Sequence, residues 1–331
     1  MFLARATIAA LTDDCDAGMR LLASNYLEGP WHDIRKVERL RLERAGAPSR
    51  GARRMASALI PSGLTEALEY GDIFLDAASR AAWDSSGDAI VEDIELAAPV
   101  NPPIYRDFMV FERHFSFGYK LRELPVPDVL YEFPVSYLGS PANMIGPGDD
   151  VPWPHYSSFL DYELEIGVVL AKDVHNVTPD AAREAILGLC ILNDFSARDI
   201  QIREMQGGLG PCKGKHFATS VGPVIATLDE LDPANLRLNS RINGESWCEA
   251  TSAEMIWSIE EIVAWASASE KIPCGSLLGT GTANGGSAIE IGKQLHPGDL
   301  VEIEIEGLGI LRNRLGEPGQ GWMPAARARA A

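Results

Sequence analysis

The stretch FLDYELEIGVVL, residues 159–170, places acidic side chains inside an otherwise apolar run. Because side chains alternate between the two faces of an extended chain, Glu163 and Glu165 share one face, and the apolar Leu164 and Ile166 share the other. Two neighbouring carboxylates repel each other at neutral pH unless a positive charge lies between them, and Mg²⁺ or Ca²⁺ suits carboxylate ligands. The stretch therefore predicts either a metal-binding strand or a half-exposed strand whose acidic face lies in water.

Length and composition indicate a soluble globular protein. The chain has 331 residues, of which 46% are hydrophobic, enough for the core of one large domain or two smaller ones. Its 29 Lys+Arg against 47 Asp+Glu give a net charge of −18, which disfavours binding to nucleic-acid phosphates. Its 5 cysteines lack CxxC spacing, the N-terminus turns acidic too soon for a signal peptide, and no apolar run approaches the ~20 residues of a membrane span. We therefore expect a cytoplasmic protein that binds neither nucleic acid nor a membrane.

The first 100 residues have helical periodicity and contain no recognisable catalytic motif. Helices are predicted for MFLARATIAALTDD at 1–14, for the basic run between Arg35 and Arg54, and for LTEALEYGDIFLDAASRAAWDSS at 64–86. The basic run is typical of a solvated face or a subunit contact, and less often of an anion-binding patch. We expect residues 1–100 to form a separate N-terminal segment, with a role in packing or dimerisation.

From residue 104 the pattern changes to short strands separated by Gly/Pro-rich turns. Residues 131–154 contain five prolines and predict a system of loops. Thr178 followed by Pro179 predicts a helix that runs to about residue 190, and residues 258–269 predict another. Many strands without regular βαβ alternation predict a β-rich α+β domain over residues 101–331.

Further polar residues in apolar surroundings are candidates for a functional site. Asp194 ends an apolar strand, where an acid is either a turn-forming residue or a metal ligand. His114 follows Asp107 by seven residues, and is either an ordinary satisfied histidine or a base in an acidic cleft. Glu290 is predicted to lie in a strand, SAIEI.

Two basic residues, Arg198 and Lys215, complete the set of candidates. Either side chain could supply the positive charge that an enolate or a carboxylate needs, or could form an ordinary ion pair.

Five motifs in this order resemble the fumarylacetoacetate hydrolase family: LDYELEIG, LNDFSARDIQ, GKHF, GTGTANG and PGDLVEIEIEGLGILRN, over about residues 100–315. The resemblance implies a β-sandwich or β-roll catalytic domain, usually dimeric, that holds Mg²⁺, Ca²⁺ or Mn²⁺. It implies four carboxylate metal ligands: Asp107, Glu163, Glu165 and Asp194. It implies that His114 is a general base oriented by Glu290. It also implies a set of groups that bind or polarise the substrate: Lys215, Arg198, Gln201, Tyr137 and Thr282.

Three positions depart from the family pattern. The positions of two substrate-flanking tyrosines in the hydrolase that names the family hold Met109 and Met205, so the resemblance implies a less polar substrate here. The acylpyruvase branch carries a Glu three residues after its His, where this chain has Phe117. This difference favours a pair between His114 and Glu290.

These observations predict a metal-dependent hydrolase that cleaves a C–C bond in a β-diketone or an acylpyruvate-like compound, in the catabolism of an aromatic or cyclic molecule. Cleavage beside a ketone releases a carbanion, which is accessible only as an enolate stabilised by a cation. The alternative is a hydratase, isomerase or decarboxylase of a 2-oxo acid on the same scaffold. A third hypothesis is a non-catalytic binding protein on a decayed enzyme fold.

Overall fold

A computed structural model of the chain describes residues 7–11, 20–25, 27, 29–92, 94–325 and 327. The N-terminal segment combines short strands with helices: β1 (Thr7–Leu11), β2 (Arg20–Ser24), β3 (Trp31–Asp33), α1 (Ile34–Arg44), α2 (Ser49–Leu59), α3 (Leu64–Leu68), α4 (Asp72–Ala82), β4 (Ile90–Val91) and β5 (Leu96–Ala97). The predicted helices between Arg35 and Arg54 and across residues 64–86 are confirmed as α1 to α4.

The predicted helix over residues 1–14 is wrong for residues 7–11, which form strand β1, and its remaining residues lie outside the described ones. Strand β1 pairs antiparallel with β2 along its whole length. Ile8, Ala9 and Ala10 are all buried. A short apolar run that is buried on every side lacks the period-2 pattern of a half-exposed strand, so periodicity cannot distinguish it from a buried helix.

The rest of the chain is dominated by strands. In order they are β6 (Tyr105–Phe108), α5 (Glu112–Leu121), α6 (Val129–Glu132), β7 (Ser136–Gly139), β8 (Met144–Ile145), β9 (Asp150–Trp153), β10 (Leu160–Asp161), β11 (Leu164–Leu170), α7 (Pro179–Arg183), β12 (Ile186–Asn193), β13 (Ser196–Ala197), α8 (Arg198–Met205), β14 (Thr219–Thr227), β15 (Arg237–Ile242), β16 (Glu245–Thr251), α9 (Ile259–Ala266), β17 (Leu277–Gly279), β18 (Leu300–Ile305) and β19 (Gly309–Pro318). The predicted β-rich α+β class is confirmed.

The helix predicted after Thr178 is shorter than expected. It ends at Arg183, and the residues from Ile186 onward form β12. This strand pairs with both β11 and β14 and is buried along its length, so pairing on both sides determines its conformation. The helix predicted over residues 258–269 is confirmed as α9, which begins with a capping box at Ser258.

Two sheets form the framework of the molecule. The larger has the strand order β4-β3-β2-β1-β14-β12-β11-β17-β6-β7, and the smaller has the order β16-β15-β18-β19-β9. Leu164, Ile166 and Val168 of β11 share one core with Leu238 and Ile303 of the smaller sheet. The two sheets therefore pack face to face across this core.

The opposite face of β11 packs against the N-terminal helices. Val169 of β11 and Leu192 of β12 share a second core with Ile34 of α1 and Phe74 of α4. In addition, β1 pairs with β14, so the N-terminal strands extend the sheet that carries β11. The division of the chain near residue 100 stays a prediction about domains, but the two parts share a sheet and a core. None of the described helices is long and apolar enough to span a membrane.

The buried carboxylate of Glu38 pairs with two half-exposed arginines between α1 and α4. The Glu38 carboxylate is 2.6 Å from an Arg41 nitrogen and 3.2 Å from an Arg80 nitrogen. Burial alone would raise the pKa of Glu38, but Arg41 and Arg80 outweigh burial and hold this pKa below its usual value. These ion pairs therefore stabilise the fold only while Glu38 is ionised.

We expect the Glu38→Gln variant to lose roughly 1 kcal/mol of unfolding free energy at neutral pH, because two charge-assisted contacts are lost, each weakened by the solvent around its half-exposed arginine. A folded-state pKa below the unfolded one gives stabilisation that is present above about pH 4 and is lost as the pH falls through the folded-state value. Urea unfolding at neutral and acidic pH would measure the difference, which should shrink on acidification. The Glu43→Gln variant, on the same helix, is the control. An equal loss in both variants, or a loss that does not depend on pH, would contradict this account.

Candidate active site

Three buried carboxylates meet where β6, β11 and β17 lie side by side. Asp107 on β6, Glu163 just before β11 and Glu165 on β11 each offer an oxygen within 4.8 Å of the others. The sheet brings them together, because Gly279 of β17 is paired with Asp107 on one side and with Gly167 of β11 on the other. Since all three side chains are buried, the alternative of a strand with a wet acidic face is wrong.

Gly279 provides the space in which these carboxylates approach one another. A Cβ atom at this position would lie 2.4 Å from an oxygen of Asp107 and 3.1 Å from an oxygen of Glu165. The first distance is shorter than any ordinary contact, so a side chain here would displace the Asp107 carboxylate. The sequence signal for this residue is only its place in the glycine-rich region, which does not reveal the contact.

Within the carboxylate cluster, Asp107 and Glu165 are not balanced by enough neighbouring positive charge to remain readily ionised. Burial, with the charge of Asp194, raises the pKa of Asp107 to about 8. Burial, with the charge of Asp107, also holds the pKa of Glu165 well above its usual range. The Oε2 atom of Glu165 is buried and has no hydrogen-bond partner in the described part of the chain. Three converging carboxylates with an unpartnered oxygen fit a hard divalent cation, so this cluster can bind one.

Glu163 is the ligand candidate that also contacts the basic residues. Lys215 contacts the Glu163 carboxylate, and an Arg198 nitrogen lies 2.8 Å from its other oxygen. Burial alone would raise the pKa of Glu163, but Lys215 and Arg198 outweigh it and lower this pKa well below its usual value. Lys215 also lies 2.7 Å from Asp194, and Arg198 lies 2.7 Å from Asp161. Among these contacting groups, two cations face three carboxylates.

Asp194 lies beside the cluster, with its oxygens engaged by other groups. Thr219 donates a hydrogen bond of 3.0 Å to one oxygen, while Tyr137 and Lys215 contact the other. The group of three mutually close carboxylates does not include Asp194. Its predicted role as a metal ligand stays a prediction. Thr282, predicted to contact substrate, donates a hydrogen bond of 3.2 Å to Glu165.

His114 and Glu290 form a hydrogen-bonded pair near this cluster. The His114 Nδ1 atom lies 2.8 Å from the Glu290 carboxylate. Ser287 donates to the same carboxylate at 2.7 Å, and the backbone N–H of Gly285 donates at 3.1 Å. Burial alone would raise the pKa of Glu290, but His114 and these hydrogen bonds hold it below its usual value. Glu290 is therefore an anion that fixes the ring of His114.

The strand predicted around Glu290 is wrong. Residues 287–292 form a turn, in which the backbone N–H of Ala288 donates 2.7 Å to Asp161. Because the Asp161 carboxylate anchors this turn and also pairs with Arg198, it connects the Glu290 turn to the basic side of the site. Asp161 lies in the acidic stretch, but it is not among the predicted site residues. The sequence does not distinguish a carboxylate that anchors a turn from one that binds a metal.

A cleft of about 120 Å³ opens beside the His114–Glu290 pair. Five of the predicted site residues line it: Met109, His114, Arg198, Gln201 and Met205. The Nη2 atom of Arg198 is buried and has no hydrogen-bond partner in the described residues, while Nη1 donates 3.0 Å to Gln201. An unpartnered guanidinium nitrogen beside a cleft is available to a substrate oxygen.

The fold is a β-rich α+β scaffold, and its site contains three buried carboxylates that could hold a divalent cation. A family model described as the C-terminal domain of fumarylacetoacetate hydrolase matches residues 104–316, and the chain belongs to this family. The family is enzymatic.

Relatives with assigned names include tautomerases. The chain is 29% identical over 269 residues to the oxaloacetate tautomerase YisK of Bacillus subtilis, covering 78% of this chain and 87% of that protein. It is 30% identical over 260 residues to the human mitochondrial oxaloacetate tautomerase FAHD2A, covering 77% of this chain and 80% of that protein. A solved structure of 2-hydroxyhepta-2,4-diene-1,7-dioate isomerase from Mycobacterium marinum has a TM-score of 0.64 at 23% identity, covering 95% of this chain and 99% of that one. This last likeness shows the shared fold.

Proposed function

We propose that the protein is a metal-dependent hydrolase that cleaves a C–C bond in a β-diketone or acylpyruvate-like substrate. The observation that carries the proposal is the contact of 2.8 Å between His114 and Glu290, on the wall of the cleft that Arg198 also lines. A histidine held by a carboxylate is a general base that can deprotonate water. Hydrolysis needs such a base, whereas a non-catalytic binding protein does not.

A divalent cation held by Asp107, Glu163 and Glu165 would polarise the two oxygens of a chelating dicarbonyl and favour enolate formation. The protein groups perform the other steps. His114 accepts a proton from water, and the resulting hydroxide adds to one carbonyl carbon. Glu290 stabilises the imidazolium that forms.

The bond between the attacked carbon and the central carbon then breaks. Its electron pair passes to the central carbon and is shared with the second carbonyl as an enolate, whose charge the Arg198 and Lys215 cations stabilise. The imidazolium of His114 returns the proton to the central carbon. The products are a carboxylic acid and a ketone or 2-oxo acid, and the base is regenerated.

Two helices give the cleft a polar and an apolar end. Along α5, His114 is followed on the same face by Phe117 and Leu121, and along α8, Arg198 is followed by Met205. Both stripes begin at a reactive group and end in apolar side chains, although Arg122 also lines the cleft beside Leu121. This arrangement supports a substrate whose dicarbonyl lies at His114 and whose other substituent is apolar.

We expect the Met205→Lys variant to lower kcat/KM about tenfold or more for an acylpyruvate with a long alkyl or aryl group, because apolar contact is lost. Acetylpyruvate, which does not reach that end, should be affected much less. Steady-state kinetics with both substrates would measure this, with Met205→Leu as the volume-conserving control. An equal loss for both substrates would contradict the proposed orientation.

A second candidate is the tautomerisation of a 2-oxo acid such as oxaloacetate, and the names of the two tautomerase relatives favour it. The same groups would serve, because His114 can move a proton between carbon and oxygen without activating water. The contact of His114 with Glu290 supports hydrolysis as the first choice, since an imidazolium must persist while the C–C bond breaks.

The test is turnover of acylpyruvates, linear and cyclic 1,3-diketones and oxaloacetate by the metal-stripped protein, with and without Mg²⁺, Mn²⁺ or Ca²⁺. Loss of enol absorbance together with two carbonyl fragments, or one ring-opened acid, would support the hydrolase. Faster equilibration of the oxaloacetate enol and keto forms without fragments would favour the tautomerase and contradict the hydrolase.

We further propose that the enzyme acts as a cytoplasmic homodimer in the catabolism of an aromatic or cyclic compound. Exposed apolar side chains support a subunit contact: Leu121, Leu138 and Leu209 are 50%, 64% and 94% exposed. Light scattering coupled to size-exclusion chromatography would test the dimer, and a monomer at all concentrations would contradict it.

A further inference from the structure

A second cleft, of about 220 Å³, lies in the N-terminal segment between α1 and α2. We call it the α1–α2 cleft. It is lined by four basic residues together with one acid and two small residues: Arg35, Lys36, Arg39, Arg53, Asp33, Ala56 and Ser57. Ala52 and Ala56 of α2 are buried against Leu42 of α1, so the small alanines let the two helices approach closely. The basic side chains thus surround a concave space, which a solvated helix face does not form.

The cations of the cleft lack protein counter-charges, although other cations of the same segment have them. Within the described residues, no carboxylate forms an ion pair with Lys36, Arg39 or Arg53. By contrast, Arg41 pairs with Glu38, and Arg44 pairs with Asp88. Four like charges around one cleft repel one another, and in a chain with a net charge of −18 acidic partners are abundant. Their separation from those acids therefore points to an external anion.

Two details indicate a binding site that is already organised. The Nε atom of Arg39 is buried without a hydrogen-bond partner in the described part of the chain, although an N–H excluded from water requires one. Arg35 is held in place, because it donates 2.8 Å to the carbonyl of Ile60 and 3.2 Å to Ser62. A fixed guanidinium loses little conformational entropy when a ligand binds.

The acid of the cleft offsets only one of its four positive charges. Asp33 is the N-cap of α1, and its carboxylate accepts a hydrogen bond of 2.9 Å from the backbone N–H of Lys36. This interaction directs the carboxylate to the helix terminus. Three or more positive charges therefore remain for a ligand.

We propose that the α1–α2 cleft binds a compact dianion, either a phosphate group or a small dicarboxylate. Guanidinium forks match the paired oxygens of both chemical groups, and the small cavity selects a compact ligand over an extended polyanion. The site is separate from the carboxylate centre, which repels anions unless a metal is bound. The proposed site gives a function to the basic run between Arg35 and Arg54, which has no part in the proposed catalytic reaction.

The test is isothermal titration of the metal-loaded protein with sodium phosphate, and separately with succinate, at constant ionic strength. We expect saturable binding of at least one of the two ligands, and the ligand that binds identifies the chemistry. The Arg53→Gln variant should weaken binding about tenfold or more, because a charge-assisted contact is lost. The Arg54→Gln variant removes the same charge from the next residue of α2, which does not line the cleft, and should bind as the original protein does.

Three results would overturn the proposal. The first is that neither ligand shows saturable binding. The second is that both variants lose affinity equally, and the third is that the Arg53→Gln variant binds the ligand as tightly as the original protein. The second result would indicate a general charge effect, and the third would indicate binding elsewhere, such as at the metal. Arg53 is exposed, so its replacement is expected to leave the fold intact, which circular dichroism would verify.

Discussion

Replacement of His114 by Asn should lower the rate of C–C cleavage by about 10³-fold or more, which is within the range contributed by a positioned general base. Asn has no group that accepts a proton from water at neutral pH. The neighbouring Glu290 would keep its contacts with Ser287 and the N–H of Gly285, so the turn that carries it should persist. Single-turnover kinetics with an acylpyruvate would measure the loss at the chemical step.

Replacement of Glu290, the partner of His114, should lower the rate of cleavage less than replacement of His114 itself. Glu290→Gln preserves the size of the side chain but removes the anion that stabilises the imidazolium, so we expect a smaller loss of about 10–100-fold. His175→Asn, at an exposed position, is the matched control and should leave the rate unchanged. Cleavage by His114→Asn at more than about a tenth of the original rate would show that another group is the base. If tautomerisation survives in that variant while cleavage is lost, the two activities use different bases.

Replacement of Glu165 by Gln should weaken divalent-cation binding by about 100-fold or more, because it removes a charged oxygen from the middle of the cluster. The Glu165 Oε2 atom has no protein partner in the described residues, so the metal-free protein loses no contact at that atom. The raised pKa of Glu165 favours its neutral form in the metal-free protein, and Gln is a neutral side chain of the same size. We therefore expect the thermal stability of the metal-free protein to change little.

Titration calorimetry with Mg²⁺ and Mn²⁺ would measure the affinity, and calorimetric unfolding of the stripped protein would measure its stability. Glu306→Gln, which removes one partner of an exposed ion pair with Arg237, is the control for a change of net charge. Normal metal affinity in Glu165→Gln would exclude this residue as a ligand. A large loss of stability in the stripped variant would instead assign Glu165 a structural role.

The acidic face of residues 159–170 is predictable because the period of a strand is two residues. That rule aligns Glu163 with Glu165 and separates both from Leu164, as the structure has them. The place of Asp107 next to them follows from the pairing of β6 with β17, and no local pattern encodes such a contact. The family resemblance identifies Asp107 as a metal ligand, and the local sequence pattern around Asp107 does not.

The errors in prediction also have a common physical cause. Residues 7–11 and 186–190 are apolar segments that pair on both sides, so sheet contacts determine their conformation. Glu290 lies in a turn because Asp161 accepts a hydrogen bond from the N–H of Ala288, a contact distant in sequence. The unpaired cations of the α1–α2 cleft were visible as a basic run, but their common orientation toward one space was not.

The three clustered carboxylates come from β6 and from the region of β11, which are distant in sequence and meet only when β17 lies between them. The unfolded chain therefore lacks the site, and a cation that binds there binds only the folded state. Mass action then links the melting temperature to the concentration of free cation, with a gain that grows logarithmically above the dissociation constant. Chelators in a storage buffer would consequently shorten the storage life of a protein that carries a bound cation.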